Sequence, residues 1–173
     1  MLLLFSHLCE LNFSDLMEIY IDGNRENAVD RYPNESEYQG LLLAEQDFYQ
    51  YLKECFFLTP GAFYAVWMEK GNYVSALRLE PYRDGLLLEA LETKPEERRK
   101  GYAGLLVNGV LAYLREQKSV VVYSHVNKRN VPSRRIHESC GFQKILDYAV
   151  YADGSVLSNS VTYRYNFEAE QSE

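Results

Sequence analysis

The chain has 173 residues, of which 47% are apolar, 25% charged and 14% aromatic, with 15 tyrosines. That composition fits one globular domain with a sizeable core and excludes a disordered, collagen-like or coiled-coil protein. The formal charge of −7 argues against a nucleic-acid partner, because phosphate neutralisation needs a basic surface.

The charge is segregated. Residues 1–93 carry 6 basic and 16 acidic side chains, net −10, whereas residues 94–144 carry 11 and 4, net +7, and residues 145–173 return to −4. An acidic chain that concentrates its cations in one block has the makings of a local anion site. The three cysteines, Cys9, Cys55 and Cys140, are odd in number and have no metal-ligand spacing. They point to a reducing compartment. The apolar opening Met1–Phe5 lacks a basic flank and a cleavage pattern, and no stretch is long enough to span a bilayer. These features predict a soluble cytoplasmic protein with no membrane partner.

Taken in chain order, Leu2–His7 reads as a short buried strand. Asn12–Asp15 supplies cap residues for a helix through Leu16, Ile19 and Tyr20, and polar Asp22–Pro33 reads as loop. Leu41, Glu45, Phe48, Leu52 and Cys55 recur at helical spacing, so a second helix is expected over Glu37–Phe57. Phe63–Met68, Tyr73–Leu79 and Leu86–Thr93 read as three meander strands, joined by turns at Lys70–Asn72 and Pro81–Gly85. Gly101–Gln117 reads as a helix with Leu105, Leu106, Val110, Leu111 and Leu114 on one face. Val120–Val126 is a β-branched strand, and Val131–Ser139 a short helix capped by Asn130. Gln143–Tyr151 and Val161–Tyr165 read as a closing hairpin through Asp153-Gly154, and the last few residues are expected to be disordered.

The order β-α-α-β-β-β-α-β-α-β-β predicts a single domain, 1–173, of α/β (α+β) type: a mixed, mostly antiparallel sheet with helices on both faces. The unit from Leu86 to Val126 should be a right-handed crossover between parallel strands.

Between strand and helix lies Lys94-Pro95-Glu96-Glu97-Arg98-Arg99-Lys100-Gly101-Tyr102-Ala103-Gly104. A helix N-terminus with free N–H groups, a glycine for close backbone approach and flanking cations make an anion cradle. The loop is neither a Walker sequence nor a dinucleotide fingerprint. Arg98-x-x-Gly101-x-Ala103, followed downstream by Asn130-x-x-Ser133 and Gly141-Phe142, resembles the two motifs of the GNAT superfamily of acyl-CoA-dependent N-acyltransferases. The resemblance lies in the order of these motifs and in the elements that carry them, and it reaches residues 1–60 in arrangement only.

The resemblance implies a site for acetyl-CoA as co-substrate. The backbone of Leu91, Glu92 and Thr93 would run beside the pantetheine arm. Loop amides from Arg99, Lys100 and Gly101 through Tyr102, Ala103 and Gly104 would cradle the pyrophosphate. Arg98, Lys100 and Arg134 would add charge, and Asn130 and Ser133 would meet the pantetheine region. Many family members carry a tyrosine general acid seven residues after the motif asparagine, but here that position is His137. His137 is therefore a candidate acid or cofactor contact, with packing as the alternative.

An acceptor amine of pKa ~10.4 must lose a proton before attack, which costs about 4.6 kcal/mol at pH 7. Glu89 is the first candidate base, because several family members carry a glutamate four residues before the equivalent of Thr93. Glu92 is the second, since a strand bulge would change its facing. His125 is a weaker candidate and reads as structural, and Cys140 as packing. No metal site is expected. The expected activity is N-acetyl transfer to a small-molecule or peptide amine, cationic if the acidic first half bears on it. The alternative is a non-catalytic CoA-binding module, and either a monomer or a homodimer is compatible with the sequence.

Overall fold

A seven-stranded sheet of order β1-β2-β3-β4-β5-β9-β6 runs through the computed structural model, which describes residues 1–119 and 121–167. Its strands are β1 (Leu2–Phe5), β2 (Phe63–Glu69), β3 (Asn72–Tyr82), β4 (Gly85–Thr93), β5 (Val121–Asn127), β6 (Gln143–Leu146) and β9 (Ser160–Asn166). β7 (Ala149–Val150) and β8 (Val156–Leu157) form a separate ribbon. Every pairing in the large sheet is antiparallel except β4 with β5. The helices are α1 (Phe13–Ile19), α2 (Ile21–Arg31), α3 (Glu37–Glu54), α4 (Tyr102–Glu116) and α5 (Val131–Ser139). The mixed, mostly antiparallel sheet with helices on both faces is as the sequence pattern requires.

Period-two alternation divides the strands between two cores. Ala65, Leu77, Leu79 and Leu88 pack against α4 through Leu106, Val110 and Leu114. Tyr64, Val66 and Ala76 face the other way, onto α1 and α3, where Leu16, Ile19, Leu52 and Phe56 are buried. The acidic N-terminal helices and the helix that follows the basic loop therefore cover opposite faces of one sheet.

Several expectations need correction. Asp22–Pro33 is largely helix, not loop. α2 has no continuous apolar stripe and is held by tertiary contact instead, with Asn24 and Ala28 buried and the Ala28 side chain against Gly40 of α3. The helix expected to reach Phe57 ends at Glu54 and passes into a 3-10 turn over Phe56–Leu58, leaving Cys55 exposed. Pro81 belongs to β3 rather than to the turn. β2 pairs with β3 only as far as Leu79, so the missing N–H of Pro81 costs no ladder bond on that side. Leu105 is exposed and Val107 takes its place in the core. The C-terminal hairpin is subdivided, with the β7–β8 ribbon between β6 and β9. Val120, the expected start of β5, and the last few residues, expected to be disordered, lie outside the described residues. No helix among the described residues is long and apolar enough to cross a membrane.

Candidate active site

β4 and β5 run together for only three residues, Leu86–Leu88 against Val122–Ser124. Beyond Leu88, β4 bulges. Arg78 stands opposite Glu89 and Ala76 opposite Glu92, so β4 carries one more residue than β3 over this stretch. Ala90, inside the bulge, has φ 51°. β5 continues with β9 as its partner, and the two parallel strands part. In the opening lies a cavity of about 550 Å³. One wall is Leu91, Glu92 and Thr93 of β4, and the opposite wall is Asn130, Pro132, Ser133, Ile136 and Ser139 on and before α5. The end is closed by Arg98, Arg99 and the start of α4.

That end is built to receive an anion. Gly101 caps α4 with φ 87°, a conformation that a side chain would strain, and no side chain caps the helix. The first backbone bond into α4 runs from Leu105 N–H to the Gly101 carbonyl at 3.1 Å. The N–H groups of Tyr102, Ala103 and Gly104 precede it and have no carbonyl of their own helix to meet. A Cβ on Gly104 would find no atom within 4 Å, so the space over these amides is free. Donors and the positive end of the helix dipole thus converge on one opening.

The cations of the loop divide. Arg98 and Arg99 border the cavity. The Arg98 Nε donates to the Thr93 carbonyl at 3.1 Å, and its guanidinium lies 2.8 Å from Asp22 and 3.9 Å from Glu92. Lys100 turns away: its Nζ meets Glu97 at 2.8 Å, and it borders a different cleft, with Lys94 and Lys70. Arg134 also stays outside, donating to the Tyr163 hydroxyl at 3.3 Å and the Lys128 carbonyl at 3.4 Å. Asn130 and Ser133 are on the wall, and the Asn130 Oδ1 caps α5 by accepting from Ser133 N–H at 3.1 Å.

The two candidate carboxylates face the α1–α3 side of the sheet, but their surroundings differ. Glu92 is partly buried on the cavity wall. Its carboxyl is pushed above the ordinary range by burial, opposed by Arg98 and reinforced by Asp22 and Glu26. Glu89 is not on that wall. Its carboxylate lies 3.2 Å from the Arg78 guanidinium, which stacks 5.0 Å from the Tyr51 ring centre.

His137 is not brought to the cavity. It is 1% exposed, stacked on Tyr163 and edge-on to Phe142. Its Nδ1 donates to the Ser133 carbonyl at 2.8 Å, and its Nε2 is buried without a partner. Burial pushes the imidazole below its usual pKa, against the pull of that carbonyl. Its neighbour Ile136 lines the cavity instead. Of the roles open to His137, the structure places the ring in the packing one, away from the cavity. His125 is likewise held between the Val150 carbonyl and the Thr162 hydroxyl, at 3.1 and 3.2 Å. Pro132, Ile136 and Ser139 were not anticipated as lining residues. The gaps of four and three from Pro132 to Ile136 to Ser139, which put them on one face of α5, are the signal the sequence holds. Among the described residues no group of three or more His, Cys, Asp or Glu side chains is placed to hold a metal ion.

A sheet opened between two parallel strands, with a helix N-terminus that no side chain caps in the opening, defines an α+β domain that can receive a phosphate-bearing ligand. Residues 17–142 match the model of the Acetyltransferase (GNAT) family, and the chain belongs to that family. The chain matches no curated protein sequence. Among solved structures it is similar to the PaiA N-acetyltransferase of Thermoplasma acidophilum in complex with coenzyme A, with TM-score 0.66, 12% identity, and 96% of this chain and 99% of that one covered. It is also similar to the ribosomal-protein-alanine N-acetyltransferase of Brucella melitensis (0.62, 19%, 95% and 99%). A third likeness is to the ribosomal-protein-S18-alanine N-acetyltransferase of Escherichia coli (0.59, 15%, 100% and 99%). At these identities the likeness is one of fold.

Proposed function

We propose that the protein moves an acetyl group from acetyl-CoA to a primary amine by direct attack within a ternary complex. The observation that carries this reading is the cavity that joins the open edge of β4 to the uncapped start of α4. Acetyl-CoA fits it as co-substrate. The Tyr102, Ala103 and Gly104 amides, with Arg98 and Arg99, suit the pyrophosphate. The edge of Leu91–Thr93, which β5 leaves unpaired, suits the amides of a pantetheine arm, in the way an extended peptide adds to a sheet.

Glu92 is the base in this proposal. It borders the cavity, and its raised pKa brings it nearer to the proton it must accept. The ammonium gives one proton to Glu92, directly or through one water, the neutral amine nitrogen bonds to the acetyl carbon, the C–S bond breaks, and the second proton of that nitrogen passes to water. The departing thiolate, whose thiol has a pKa of about 8.5, takes its proton from water, since His137 is shut in the core. Glu89 serves in its ion pair with Arg78 as support for the bulge. The acceptor we favour is cationic. Asp22 and Glu26 stand near Glu92, and a ring of carboxylates would draw an ammonium to it.

The test is calorimetric titration with acetyl-CoA, followed by thiol release with polyamine, aminoglycoside, lysine and peptide N-terminal acceptors. Thiol release with at least one class above the hydrolysis background is expected. Tight acetyl-CoA binding with no transfer to any class would overturn it in favour of a silent CoA-binding module.

A further inference from the structure

The bulge of β4 has a support that comes from the opposite side of the sheet. Ala90 belongs to neither ladder: the β3 register passes from Glu89 to Glu92, and the β5 register ends at Leu88. A half-buried backbone carbonyl in that position needs a donor from elsewhere. Tyr20, at the junction of α1 and α2, supplies it. Its hydroxyl donates to the Ala90 carbonyl at 2.7 Å, and the Tyr64 hydroxyl donates to Tyr20 at 3.3 Å. Tyr20 is 7% exposed and packed edge-on to Phe48. Burial and Tyr64 hold its hydroxyl well above the usual phenol pKa, so it remains a donor at any physiological pH.

The carbonyl of Ala90 and the N–H of Leu91 are two ends of one peptide plane. In a trans peptide they point in opposite directions. A phenol that draws the carbonyl toward the α1–α2 junction therefore aims the Leu91 N–H away from that junction. Leu91 is the first residue of β4 on the cavity wall. Ala90 holds a φ of 51°, which a non-glycine residue keeps only when its surroundings enforce it.

We infer that Tyr20 is a positioning residue for acetyl transfer: its hydrogen bond to the Ala90 carbonyl sets the peptide plane through which β4 presents the Leu91 amide to the cavity. This rests on the function proposed above. It assigns a role to the N-terminal segment, where no motif pointed to one.

The experiment compares Tyr20→Phe with Tyr73→Phe, which removes the hydroxyl of another buried tyrosine of the same core, one that meets the Asn12 N–H at 3.4 Å. Backbone amide spectra, with leucine selectively labelled, report the Leu91 N–H directly, because loss of a hydrogen bond at a carbonyl shifts the amide that follows it. In Tyr20→Phe the Leu91 resonance should move, kcat should fall about tenfold, and the Kd for CoA should change less than twofold. In Tyr73→Phe the Leu91 resonance and kcat should stay near wild type. An unmoved Leu91 resonance in Tyr20→Phe, or equal kcat losses in the two variants, would overturn the inference. Wild-type protein that binds CoA and transfers nothing overturns the enzymatic reading and the transfer role together. The Leu91 shift then still decides whether Tyr20 sets the bulge.

Discussion

The two halves of β4 belong to one strand and do opposite work. From Gly85 to Leu88 the strand is paired with β3, and its Leu86–Leu88 stretch also with β5. From Glu89 to Thr93 it stays on β3 except at the bulge residues Ala90 and Leu91, and it has no pairing with β5. The closed half is a structural clasp, where backbone approaches backbone. The open half is an exposed edge of the kind that invites another extended chain, and it is placed beside the free amides of α4. One strand thus joins a region where added atoms cannot be accommodated to a region where space is kept.

Two glycine substitutions set the halves against each other. A Cβ on Gly85 would lie 2.2 Å from the Val121 carbonyl oxygen and 2.5 Å from its side chain, so Gly85→Ala must force β4 and β5 apart. A loss of about 3 kcal/mol is expected, in the range for overpacking against backbone. That corresponds to a Tm lower by about 6–12 °C in a chain of this size, read by thermal unfolding. A change under about 2 °C would show that the clasp is loose. Gly104→Glu should do the reverse. Its Cβ meets nothing, so Tm should hold, while a carboxylate in the cradle repels a pyrophosphate and lowers acetyl-CoA affinity about 100-fold, equivalent to about 2.7 kcal/mol. Affinity within threefold of wild type would remove the cradle from the binding site.

The halves also differ in how far they could be read beforehand. The cradle was legible because Arg98-x-x-Gly101-x-Ala103 combines a left-handed cap, a small residue and a cation within six positions of a helix start. The bulge was not. Leu86-Leu87-Leu88-Glu89-Ala90-Leu91 offers no register of its own, and the extra residue is fixed by β3 and by Tyr20, which is distant in sequence. The same cause explains His137. Its spacing from Asn130 places it on the right helix, but Phe142 and Tyr163 decide that the ring turns inward. α2 carries no such signal in the sequence, because it is held by contacts with α3, Ala28 against Gly40 and Arg31 on Asp47 among them, and not by a periodic apolar face.

Glu92 sharpens the contrast chemically, because the open half keeps a carboxylate that folding disfavours. Glu92→Gln should lower kcat by about 10²-fold if the side chain is the general base, with acetyl-CoA affinity little changed. Stability should move the other way. The folded pKa is raised, so the stability linked to this group is present at low pH and is lost as pH rises through the folded pKa. At pH 8 the Gln variant, free of that loss, should melt slightly higher than wild type. The pH profile of wild-type kcat/KM should rise through a group above the ordinary carboxylate range, and that limb should vanish in the variant. Glu89→Gln, with the same chemistry removed from the ion pair with Arg78, should instead destabilise the protein and leave the acidic limb in place.

The smallest expected effect concerns Arg98, which touches both β4 and α2. Asp22 of α2 lies 2.8 Å from it, in a pair exposed enough to be weak on its own account. Asp22 therefore competes with a bound pyrophosphate for the same guanidinium, while contributing negative charge toward an incoming ammonium. Asp22→Asn should move the two substrates in opposite directions. Acetyl-CoA should bind up to about threefold tighter, because Arg98 is released, and KM for a cationic amine should rise two- to threefold. Both shifts should fade in 0.5 M salt, where the Debye length is only about 4 Å, and an uncharged acceptor analogue should show only the first. Movement of both constants in the same direction would mean that the acidic helices and the basic loop are not coupled through Arg98, and that the charge on α2 serves neither substrate.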